Sequence, residues 1–198
     1  MKFGSVPLSE AEGAFLAHAV QAGEVRFKKG TRLAVPEIAA LQTAGIGKVI
    51  VARLEEGDIA EDNAAARLAA TALHPSVRIA SPSTGRVNIH AEADGLFVVD
   101  RHTIDAINRV DPSITIATLA EFAPVACGQM VATVKIIPFA VPVEKLDAAI
   151  AAAKSASPLL KVAPWFSKPV GLVATELPSL KPDVMDKTAR ILQARLGR

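Results

Sequence analysis

The residues of this chain best suited to chemistry lie in one loop and one strand. Ser83-Thr84-Gly85-Arg86-x-Asn88 places a Thr-Gly tight turn next to a guanidinium and an amide. A turn of this kind can expose backbone N–H groups, and Arg86 can hold a phosphate or carboxylate in a two-pronged grip. The commoner outcome for such a loop is a β-turn whose Arg and Asn satisfy nearby carbonyls. The second feature is Lys135, set in the run Val131-Ala132-Thr133-Val134-Lys135-Ile136-Ile137. Strand alternation puts Lys135 on one face with Thr133 and Val131, and Val134 with Ile136 on the other. A lysine there either faces an open surface or is buried with a partner. A third candidate is Thr175-Glu176, at the carboxyl end of the apolar run Val170 to Thr175, where open α/β sheets bind polar ligands or Mg²⁺.

Other chemistries find no support. The histidines (His18, His74, His90, His102) are scattered, and the lone Cys127 removes any thiolate cluster, so no metal spacing exists. Cys127 has no base near it in sequence, and no serine triad, P-loop or G-x-G-x-x-G pattern is present. His18 is expected on a helix beside apolar neighbours, in a packing or capping role. The catalytic set is empty on this reading.

These residues must be positioned by a chain of 198 residues, of which 51% are hydrophobic, enough for a substantial core. The core is aliphatic, with seven Phe, one Trp and no Tyr, which argues against a surface that stacks bases. Twenty-two basic against 20 acidic residues, without long like-charge runs, exclude a nucleic-acid groove and leave room for a small phosphorylated ligand. The single cysteine fits a reducing compartment, and no stretch reads as a signal peptide or membrane span. A cytoplasmic location is expected.

Three segments follow, over residues 1–58, 59–165 and 166–198. In the first, Ser9-x-x-Glu12 predicts a capping box for a helix over about residues 9 to 20, closed by Gly23. Val25 and Phe27 lead into the Lys28-Lys29-Gly30 turn, Pro36 opens a second helix, and Lys48 to Leu54 reads as a strand. The result is a helix-and-ribbon unit. The second segment carries helices over Ala60 to Leu73, Thr103 to Val110 and Val143 to Ala156. Its strands are Ile114 to Leu119, Met130 to Phe139 and Leu159 to Val162, and Val87 to Ala91 with Leu96 to Val99 is expected to form a hairpin. This predicts an α/β domain with a mixed sheet (α+β). In the third segment Val170 to Thr175 reads as a buried parallel strand, followed by a helix with Asp183 at its start and Val184, Ile191, Leu192 and Leu196 on one face. That strand has no parallel partner after it, so the chain is expected to continue beyond Arg198.

Val6-Pro7-Leu8-Ser9-Glu10-Ala11-x-Gly13-x-x-Leu16-Ala17 resembles the opening of the molybdopterin molybdenumtransferase family. Lys29-Gly30-Thr31-x-Leu33 and Ile38-Ala39-x-Leu41-x-x-x-Gly45-Ile46-x-x-Val49-x-Val51 are similar to that family's linker. Val170-Gly171-Leu172-Val173-Ala174-Thr175-Glu176-Leu177 resembles the strand and Thr-Gly-x-Glu-Leu loop that open its doubly wound molybdopterin-binding domain. The family's Gly-Asp between Thr and Glu is missing here, as is its Ser-x-x-Asp-Gly-Tyr-Ala segment. The middle, with Thr84-Gly85-Arg86-x-Asn88 and Ala132 to Pro138, looks like a divergent branch of molybdopterin-binding proteins. The resemblance implies a part in molybdenum cofactor handling. Molybdopterin, an anionic pterin phosphate, would be the ligand, with Mg²⁺ acting in the complete protein and little or no catalysis by this stretch. It also leaves a homodimer open. Two other readings stand beside it. One is a small-molecule binding module, because the Lys28 to Leu33 turn also resembles the clip-like β modules of sugar-acid dehydratases and sialic acid synthases. The other is an interaction scaffold.

Overall fold

A computed structural model of the protein describes residues 1–175 and 182–196. The described chain falls into two compact units, Met1–Trp165 and Phe166–Arg198.

Within the first unit, residues 1–53 build a small β-rich layer. Strands β1 (Lys2–Pro7) and β2 (Phe15–Leu16) flank β5 (Lys48–Arg53) in an antiparallel sheet. A separate hairpin joins β3 (Val20–Ala22) to β4 (Val25–Phe27), and helix α1 (Val35–Thr43) precedes β5. Leu8, Leu16, Leu33, Leu41, Val49 and Val51 close its core. The helix expected over residues 9 to 20 does not form. A single 3-10 turn, Leu8–Glu10, is followed by Gly13 at φ +77°, a conformation that ends a helix, and the chain then goes extended through β2 and β3. His18 therefore sits on an exposed connection and neither packs nor caps a helix.

Residues 58–165 form the larger layer. Its principal sheet runs β10 (Ile114–Thr118), β12 (Met130–Ile136), β8 (Arg86–Ala91), β7 (Val77–Ile79), and a second sheet runs β11 (Pro124–Val125), β9 (Gly95–Val99), β14 (Leu160–Pro164). A short ribbon pairs β6 (Asp58–Ala60) with β13 (Ala140–Pro142). Helices α2 (Glu61–Ala69), α3 (Arg101–Val110) and α4 (Val143–Ala153) bury Ala64, Ala65, Leu68, Ile104, Ile107, Leu146 and Ala149 in one core with Val87, Ile89, Val134, Ile136, Ile114 and Ile116. The helical residues recur at three- and four-residue intervals and the strand residues at two, as burial of one face of each element requires. The mixed α/β class is as expected, and every strand pairing among the described residues is antiparallel.

Residues 87–91 and 96–99 do not form the expected hairpin. β8 pairs with β12 and β7, whereas β9 pairs with β11 and β14. Gly95 permits this parting of ways: a Cβ there would lie 2.1 Å from the Ala163 carbonyl oxygen, so only glycine lets β14 close on β9 at this point.

In the second unit, residues 166–175 run without regular structure and α5 (Pro182–Leu196) is helical. The parallel strand expected at Val170 to Thr175 is absent, because no neighbouring strand among the described residues supplies its hydrogen bonds. Val170, Leu172 and Val173 are exposed, as are Val184, Ile191 and Leu196 of the helix. No described helix is long and apolar enough to cross a membrane.

Candidate functional site

The outward face of the principal sheet carries the polar residues singled out in the sequence. Arg86 and Lys135 are direct cross-strand partners, and Asn88 is opposite Thr133. Opposed residues in an antiparallel pair project to the same side, so the two cations share one face, backed by the buried Val87 and Val134 on the other. A bulge between Met130 and Ala132 breaks the alternation. Val131 is buried along with Ala132, and it does not join Thr133 and Lys135 as simple alternation predicts.

β8 is entered through a two-residue turn. Ser83 and Arg86 exchange backbone hydrogen bonds of 2.9 and 3.1 Å, and Thr84 and Gly85 between them have φ of +50° and +70°. Positive φ at both central positions is the geometry that matches the twist of a hairpin, and for a β-branched Thr84 it is strained. Three contacts hold the turn in place. The Gly85 N–H donates to Asp62 Oδ1 at 2.7 Å, and the Lys135 ammonium donates to the Thr84 carbonyl. The Ile136 N–H also donates to the Gly85 carbonyl at 2.7 Å.

These bonds correct one expectation. The Gly85 and Arg86 N–H groups are not free to cradle an anion, since Asp62 and Ser83 take them. Asn88 is likewise engaged, its Oδ1 accepting from the Thr133 hydroxyl at 2.9 Å. What the face offers a ligand is side-chain charge: Arg86, exposed and without a hydrogen bond or ion pair among the described residues, beside Lys135.

Sequence reasoning missed Glu61, the first residue of α2. Its N–H donates to the Phe139 carbonyl at 2.9 Å, which fixes the helix start beside the Gly85 turn. Its carboxylate lies over Gly85 so closely that a Cβ on that glycine would be 2.7 Å from Glu61 Oε2. Burial raises the pKa of Glu61, nearby Lys135 lowers it, Asp62 raises it and Lys29 lowers it, leaving the net shift upward. No hydrogen bond or ion pair reaches this carboxylate among the described residues. Asp62, one position on, holds the turn; Glu61 holds nothing.

Residues 1–53 also contribute. Phe139 stacks against Phe3, with ring centroids 6.5 Å apart and planes 25° from parallel, and the Lys29 ammonium sits 4.9 Å from the Phe139 centroid. Lys135 and Lys29 are both near enough to the Glu61 carboxylate to oppose the rise in its pKa that burial causes. Such a set can bind an anion and accept a hydrogen bond from the same ligand. It is not a metal centre, and no group of three or more metal-ligating side chains occurs among the described residues.

Thr175 is exposed in the second unit, and Glu176 lies outside the described residues. The larger hollows of the first unit are elsewhere. Two of about 450 and 540 Å³ adjoin at the start of α3, sharing Val99, Arg101 and Glu121. Size alone favours that place, but its most constrained carboxylate is spent on structure. Asp100 accepts from the His102 and Thr103 N–H groups and from the Thr103 hydroxyl. The Gly85 turn, with its unspent charges, is the better candidate.

The profile of a domain of unknown function, DUF8806, matches residues 5–53, the β-rich layer that carries Phe3's neighbours and Lys29. No curated protein and no solved structure matches the chain.

Proposed function

We propose that this chain is part of a molybdopterin-binding protein acting in molybdenum cofactor biosynthesis or handling, and that residues 1–165 serve it as a binding and positioning part without catalysis. The observation that carries this reading is the pairing of Arg86 with Lys135 on one sheet face beside the Gly85 turn. Two or three cations around a small open face suit the phosphate of a pterin monophosphate, to which guanidinium and ammonium bind by charge-assisted hydrogen bonds. The motif from Ile38 to Val51, which forms α1 and β5, supports the same assignment, whereas the helix implied at residues 9–20 and the strand implied at 170–175 do not form. In this reading Mg²⁺ belongs to the molybdate-insertion step of the complete protein, the site of action is the cytoplasm, and a homodimer is left open.

Titration calorimetry with a pterin monophosphate tests it. Micromolar binding is expected, weakened at least 10-fold (about 1.4 kcal/mol) by Arg86→Gln combined with Lys135→Gln. No heat at millimolar ligand would contradict the reading. A second reading, a small-molecule binding module on a clip-like β unit, draws on the strands that replace the expected helix at residues 15–22. It expects binding of small organic acids without a pterin ring, lost on Lys29→Gln and retained in the double variant.

A further inference from the structure

We draw no further inference here: the strongest candidate, the two adjoining hollows of about 450 and 540 Å³ at the start of α3, is a helix N-terminus whose first N–H groups Asp100 already takes, and among the described residues no buried, unpartnered polar side chain points into it to say what it would hold.

Discussion

Two helix starts in the larger layer place acidic side chains in similar positions and use them in opposite ways. At α3, the Asp100 carboxylate accepts two backbone N–H groups and a hydroxyl, and those bonds, from Thr103 first, hold its pKa below the ordinary range. At α2, the labour is divided. Asp62 anchors the Gly85 turn, while Glu61 receives nothing and burial pushes its pKa up. A carboxylate whose bonds are all internal stabilises the native state; one that is desolvated and unbonded weakens it unless a ligand completes it. The contrast separates a carboxylate bonded within the fold from one left to solvent.

Variants at the two places should differ in kind. The largest effect is expected from Gly85→Ala. It forces a side chain into the left-handed region and into both Glu61 Oε2 and the Ile136 carbonyl, at a cost on the order of 3 kcal/mol. Thermal unfolding should show a melting temperature lower by about 10 °C. A melting temperature within a degree of wild type would mean that the turn is not built as described.

Asp100→Ala comes next. Three donors at the head of α3 lose their acceptor, so the melting temperature should fall, by less than for Gly85→Ala, with ligand affinity unchanged. Glu61→Gln should leave stability at neutral pH unchanged or slightly improved. If Glu61→Gln destabilised the protein as much as Asp100→Ala, the distinction between the two helix starts would vanish.

The smallest effect is in the pH dependence, and its sign differs between the two sites. Glu61 holds its proton more tightly in the native state than in the unfolded chain. Its contribution is therefore favourable at low pH and declines as pH rises through its native titration. Asp100 holds its proton less tightly when folded, so its contribution is present above the ordinary carboxylate range and is lost as pH falls through its native titration. Urea unfolding across pH 3 to 7, wild type minus each variant, should give difference curves of opposite slope. Parallel slopes would contradict the assignment.

The parts of this arrangement that follow local rules were readable from residue types. Alternation in Thr133-Val134-Lys135-Ile136 put Lys135 on the face opposite Val134 and Ile136 but left open whether that face was exposed, and Thr84-Gly85 announced a tight turn. Helix spans from Ala64 to Ala153 followed from apolar spacing, with ends a few residues adrift. What depended on distant pairing was not readable. The Arg86–Lys135 partnership requires the β8–β12 register, and the isolation of Glu61 requires knowing that Gly85, 24 positions along, packs beneath it. The capping-box pattern Ser9-x-x-Glu12 misled because the local preference of four residues yields to Gly13 and to the burial of Leu16 in a β layer. The expected strand at Val170 had the right composition but no partner among the described residues, and composition alone does not make a strand.

The difference between an employed and an unemployed carboxylate can be read directly by carbon-13 NMR of the side-chain carboxyls through a pH titration of the ligand-free protein. Glu61 should titrate above the ordinary glutamate range and Asp100 below the ordinary aspartate range. A Glu61 carboxyl that titrates at or below its ordinary value would show that Lys135 and Lys29 outweigh its burial, and the contrast with Asp100 would vanish.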